Sequence, residues 1–203
     1  MPDCTVLPGY AHRLGSLDYT LAFHCAPAIA GVKPSNLISL KKPVWMKMRR
    51  NLGAMARPLG VRDVFFYRLA ECSQRVLLLV YNRKLLTAHL TRPENRVLLE
   101  SYGYKTEGLT PGLMLARLAN RIRENGEYPH EIGVFLGYPA GDVRGFIENG
   151  GKDFSLSGYW KVYGDPRRAK EIFSAYDQVR GFFCEQVLGG EKIYTIQYGG
   201  TVQ

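Results

Sequence analysis

Apolar positions that recur every three or four residues predict helix over much of this chain. Residues 44–59 place Trp45, Met48, Leu52 and Met55 along one stripe and set Lys47, Arg49, Arg50 and Arg57 mostly elsewhere, the pattern of an amphipathic helix. Leu113, Leu115, Leu118 and Ile122 form the stripe of a second helix, opened at Thr110-Pro111 and ended at Asn125-Gly126. Asp165-Pro166 opens the longest, which runs to about Leu188 and stops at Gly189-Gly190. Shorter helices are expected over 17–24, capped by Ser16 or Asp18, over 83–90, and from Pro93 to Ser101. Pro27 breaks or restarts the first of these, since proline loses no needed N–H in an opening turn.

Strand signals are fewer. Residues 36–40, 63–70 and 75–81 are short β-branched or aromatic runs, and the connector at 71–74 suits an antiparallel hairpin. The run 76–80 is apolar throughout, which predicts a central strand buried on both faces. Residues 157–163 form an aromatic strand with Tyr159, Lys161 and Tyr163 on one face and Trp160 and Val162 on the other. The expected fold is α+β or α/β: a single domain over 16–190 with a small, mostly antiparallel sheet under six to eight helices. An irregular lead-in, 1–15, precedes it, and a tail or edge strand, 191–203, follows.

Residues 130–149 are spaced like a helix-turn-helix. Ile132 and Leu136 fill the first helix, Gly133 is the small residue at the crossing, Gly137 makes the turn, and Val143 and Phe146 face inward from the second. Its outward face would be Ala140, Gly141, Asp142, Arg144, Gly145 and Glu148, where one arginine against two carboxylates suits a phosphate-lined groove poorly. A packing hairpin meets the same steric demands.

Charge changes the picture. The 203-residue chain has net charge +9, and between Asp18 and Asp63 it has no acidic residue but eight basic ones: Lys33, Lys41, Lys42, Lys47, Arg49, Arg50, Arg57 and Arg62. Such asymmetry points to an anionic partner, nucleic acid or a phosphorylated ligand. Alternatively it is a solvated basic face. No window approaches ~18 consecutive apolar residues, so no membrane span is expected. Cys4, Cys25, Cys72 and Cys184 are dispersed and the N-terminus lacks a secretory pattern, which together place the protein in the cytoplasm.

Two constellations could carry chemistry. With a helix starting at Pro27, Cys25 would sit near its N-terminus, where the dipole favours thiolate, and His130 with Asp142 or Asn149 could supply a base and its orienter. His24 is adjacent to Cys25 and poorly placed to face it, and His24, Cys25 and His130 match no metal-site spacing. The second constellation joins the basic region, chiefly Lys41, Lys42, Lys47, Arg49 and Arg50, to Tyr159, Trp160, Lys161 and Tyr163. Rings with cations suit single-stranded nucleic acid or a nucleotide-like ligand. No phosphate-binding glycine motif follows a strand, so a Rossmann or P-loop nucleotide site has no support, and any cofactor is left unknown.

The strings HCAPAIAGVKPSNLISL (24–40), RVLLLVYNRKLL (75–86), YPHEIGVFLGYPAGDVRGFIENGG (128–151) and GYWKVYGDP (158–166) resemble an uncharacterised family of bacterial proteins of similar length, defined only as a domain of unknown function. The resemblance runs in order over most of the chain, leaving out the lead-in and the tail after Gly190. It implies no activity, cofactor or catalytic residue, and only a redox-protein context. The reading is therefore a cytoplasmic protein of unassigned activity whose 33–62 region binds an anionic partner. The alternatives are a thiol-dependent enzyme centred on Cys25 with His130, and a non-catalytic structural or interaction protein.

Overall fold

In the computed structural model, residues 15–200 apart from Leu109 and Glu127 are described. The expected lead-in, with Cys4, thus lies almost wholly outside them. In chain order the elements are α1 (Leu17–Ile29), β1 (Ser35–Lys41), α2 (Lys42–Val61), β2 (Val64–Glu71), β3 (Arg75–Asn82), α3 (Arg83–Leu90), α4 (Pro93–Ser101), α5 (Pro111–Asn125), α6 (Ile132–Phe135), α7 (Ala140–Glu148), β4 (Leu156–Ser157), β5 (Lys161–Val162) and α8 (Pro166–Gly189). The fold is α+β, as the alternation of patterns predicts.

β3 is the middle of a three-stranded antiparallel sheet, order β1-β3-β2, with Leu37 opposite Leu79 on one side and Phe66 opposite Val80 on the other. Side-chain alternation sends Val76, Leu78 and Val80 to a core shared with α1, α2 and the second half of α8, and Leu77 and Leu79 to one shared with α3 to α7. Burying each of these side chains contributes roughly 1.5–3 kcal/mol, which is why this unbroken apolar run sits in the centre.

Caps fix several helix starts. The Ser16 hydroxyl accepts from Tyr19 N, the Asn82 side chain from Leu85 N, and the Asp165 carboxylate from Arg167 N. Pro27 does not restart α1. It sits in the last turn of one continuous helix, and its carbonyl accepts from the N–H groups of Val32 and Lys33 as the chain turns towards β1. Cys25 therefore lies near the C-terminal end of a helix, where the dipole opposes a thiolate.

One other expectation needs correction. The aromatic segment 157–163 does not join the main sheet; β4 and β5 form a separate two-residue ladder, Leu156 with Val162 and Ser157 with Lys161. Trp160 folds inward from the turn between them, so a third cluster of Trp160, Val162, Ala169 and Tyr176 holds the hairpin on α8. Residues 193–198 form no strand. Ile193 and Ile196 enter the first core, Asp18 accepts from Ile193 N (2.9 Å), and the Arg62 guanidinium donates to the carbonyls of Ile196 (2.6 Å) and Tyr194 (3.1 Å).

Candidate functional site

The helix-turn-helix spacing at 130–149 yields a single helical turn, α6, and the nine-residue α7. Gly133 is the crossing residue: a Cβ there would stand 2.8 Å from a Val143 methyl carbon. The face that would read bases is occupied. Ala140, Asp142 and Gly145 are buried, and Asp142 accepts from Trp160 Nε1 (2.7 Å), Tyr163 N (2.8 Å) and Gly164 N (2.8 Å). That carboxylate bolts the β4–β5 hairpin to α7. Among the described residues none of its hydrogen bonds goes to His130.

Between the 128–133 segment, α7 and the hairpin lies a cleft of about 430 Å3, whose lining includes His130, Tyr138, Phe146, Trp160 and Lys161. Tyr138 stacks on Trp160 at 5.1 Å between centroids, and Phe173 meets the indole edge-on at 4.6 Å. The segment that carries His130 is anchored next door, where buried Glu131 accepts from Arg121 Nε (2.6 Å) and Tyr104 Oη (3.1 Å). His130 itself is exposed, with its ring at 5.4 Å from that of Phe146. Lys161 Nζ donates to the Gly151 carbonyl (2.6 Å) and lies 5.7 Å and 4.8 Å from the centroids of Phe146 and Phe154. Among the described residues no carboxylate pairs with it. The cleft thus offers aromatic walls, an uncompensated ammonium with donors to spare, and an imidazole at its rim.

The structure separates the other candidates. Cys25 is fully buried in the first core, and burial pushes its thiol up to about 12 against the opposing influence of Lys33. It does not line the cleft at which His130 stands. Exposed His24 packs edge-on against Phe23, and burial and then Arg180 lower its pKa. Tyr159 does not share a face with Lys161. Its hydroxyl donates to Asp177 (2.8 Å), and its ring lines a different hollow with Phe173 and Arg180. Among the described residues no group of three His, Cys, Asp or Glu side chains could hold a metal.

A thiol reagent at neutral pH should therefore modify Cys72 and spare Cys25. Cys72 is exposed, and backbone hydrogen bonds from Gln74 and Arg75 lower its pKa. Peptide mass mapping checks this, and rapid native labelling of Cys25 would contradict the burial argument.

The basic region divides into three kinds. Lys42 pairs with Glu71, and Arg62 is consumed by the C-terminal carbonyls. Lys41, Lys47, Arg49, Arg50 and Arg57 are exposed, and none makes an ion pair among the described residues. Lys33 is the surprise. Only 3% exposed, it places its ammonium 5.3, 5.7 and 5.5 Å from the ring centroids of Tyr138, Tyr159 and Tyr176. Burial pushes its pKa down to about 8 against the opposing influence of Cys25.

The profile of one sequence family, described as proteins of unknown function (DUF3793), matches residues 21–197. The chain belongs to this family. Its match runs from within α1 to beyond α8, and hence over the whole cleft, and the DUF3793 description assigns no activity to any residue. Neither a curated protein nor a solved structure matches the chain. No helix among the described residues is long and apolar enough to cross a membrane.

Proposed function

We propose that the protein binds a small, flat, anionic molecule in the cleft beside the Tyr138–Trp160 stack, a nucleotide or an aromatic acid. The observation that carries this reading is the meeting of Lys161 and His130 on an aromatic-walled cavity. Ligand sites are typically apolar concavities of ~300–1,000 Å3 with a few polar groups that set orientation. Here a planar ring would lie against the aromatic walls, Lys161 would face its charge, and His130 would complete the hydrogen bonding. Cys25 has no part in this reading.

The chain has two tryptophans, so a Trp45→Phe background makes Trp160 the sole reporter. Titration with mononucleotides and aromatic acids should produce a saturable change in its emission. Lys161→Met should weaken that binding by roughly tenfold, the worth of one charge-assisted contact. No saturable change at millimolar concentrations of any of them would overturn the reading.

A second reading rests on α2, whose twenty residues include no carboxylate and whose Lys47, Arg49, Arg50 and Arg57 are exposed. With Lys41 they would hold a polyanion such as single-stranded nucleic acid. Its signature in the same titrations is affinity that falls steeply with salt and is indifferent to Lys161→Met.

A further inference from the structure

The charges that line the aromatic cleft oppose one another. Among the described residues of its lining stand one carboxylate, Asp142, and one ammonium, Lys161. Asp142 is held by three neutral donors, the Trp160 indole and the N–H groups of Tyr163 and Gly164, which leave its negative charge in place. On these two residues alone the walls carry no net charge. A further charge stands behind them. Lys33 does not line the cleft, but its Nζ lies 5.3 Å from the ring centroid of Tyr138, which does.

Burying an ammonium without a carboxylate is unfavourable, and lysines kept in that state cluster at functional sites. Lys33 is 3% exposed, and no ion pair among the described residues includes it. The groups that face it are Cys25 from α1, Tyr138 from the turn after α6, Tyr159 from the turn between β4 and β5, and Tyr176 from α8. None of these four is an anion at neutral pH. Burial pushes Cys25 and Tyr138 up to about 12 and raises Tyr159 and Tyr176 as well. Behind Tyr159, the Asp177 carboxylate is paired with Arg180 (2.7 Å). The Lys33 charge is therefore left unneutralised, one ring away from the cleft.

We infer that Lys33, acting through the Tyr138 ring, gives the cleft its preference for anions. This rests on the reading that the cleft binds a flat anionic molecule, and it adds the source of the selectivity. Lys161 meets the ligand's charge directly, while Lys33 offsets Asp142 from behind the wall and touches no ligand. A ligand charge across the ring would stand roughly 9 Å from Nζ, where at an effective dielectric constant of about 20 the attraction changes affinity on the order of tenfold.

Isothermal titration of the full chain and of its Lys33→Met variant tests this, with ligand pairs that share a ring and differ in charge: mononucleotides against their nucleosides, and aromatic acids against their amides. The wild-type protein should bind the anion of at least one pair more tightly than its neutral partner. In Lys33→Met that anion should bind about tenfold more weakly and the neutral partner as before, whereas a merely structural role would weaken both alike. The variant should fold. The Lys33 pKa is lowered to about 8, so at neutral pH the buried charge works against stability, and removing it relieves that cost. The unaltered chain supplies a second readout. As pH rises through about 8 Lys33 loses its proton, so affinity for the anion should fall across that window while affinity for the neutral partner holds, and the fall should be absent from Lys33→Met. Anion affinity unchanged in the variant, equal weakening of both partners, or anion affinity constant across that window in the unaltered chain overturns this inference and leaves the reading of the cleft standing. If the wild-type protein binds none of the anions, both fall together.

Discussion

Gly137→Ala is expected to lower the stability of this protein by about 3 kcal/mol or more, the sum of a backbone and a packing cost. Gly137 has φ +79, in the left-handed region where an L side chain costs about 1 kcal/mol. The added Cβ would also stand 2.6 and 2.7 Å from Cδ and Cγ of Pro34. A pyrrolidine ring cannot rotate away, and Pro34 is itself held, because its carbonyl accepts from Asn82 N (2.9 Å). Next to it, the Ser35 hydroxyl donates to the Phe135 carbonyl (2.7 Å), so the turn after α6 is docked on the start of β1 at two points. Urea unfolding should show a lower midpoint with unchanged slope. A loss below ~1 kcal/mol would mean that the turn moves off Pro34 without resistance, contrary to this packing.

Asp142→Asn, a change of one atom, should cost about 2–3 kcal/mol, because it turns an acceptor into a donor facing another donor. The retained amide oxygen can keep the N–H groups of Tyr163 and Gly164. The new NH2 would then point at Trp160 Nε1 and leave the buried indole N–H without an acceptor. Asp142→Ala removes all three acceptor contacts and should cost more. Thermal unfolding gives the magnitude. The near-ultraviolet circular dichroism of Trp160 separates a loosened hairpin from a globally weaker protein, since Trp45 lies in a different core. An unaltered Trp160 signal together with unaltered stability would refute the role assigned to this carboxylate.

The elements were legible wherever the deciding information is local. Ser16, Asn82 and Asp165 are capping residues by type, and the β3 run is buried because no residue from Val76 to Val80 offers a polar face. What local pattern cannot supply is the partner. The alternation over 157–163 is the same whether the segment joins the main sheet or folds back on itself; Asp142, fifteen or more residues upstream, settles it by drawing in Trp160 and the N–H groups beyond. Lys33 looks like its basic neighbours in sequence and differs because three distant tyrosines surround it. Sequence spacing groups His130 with Cys25 and Lys161 with Tyr159, whereas the fold sets His130 and Lys161 on one cleft, buries Cys25 in a core and turns Tyr159 to Asp177.

The three rings around Lys33 belong to three different hollows: Tyr138 to the aromatic cleft, Tyr176 to the cavity beside His89, and Tyr159 to the recess at Asp177 and Arg180. One ammonium is thus common property of three walls. Its charge therefore adds to the field at all three recesses at once, although its ammonium is itself almost wholly buried.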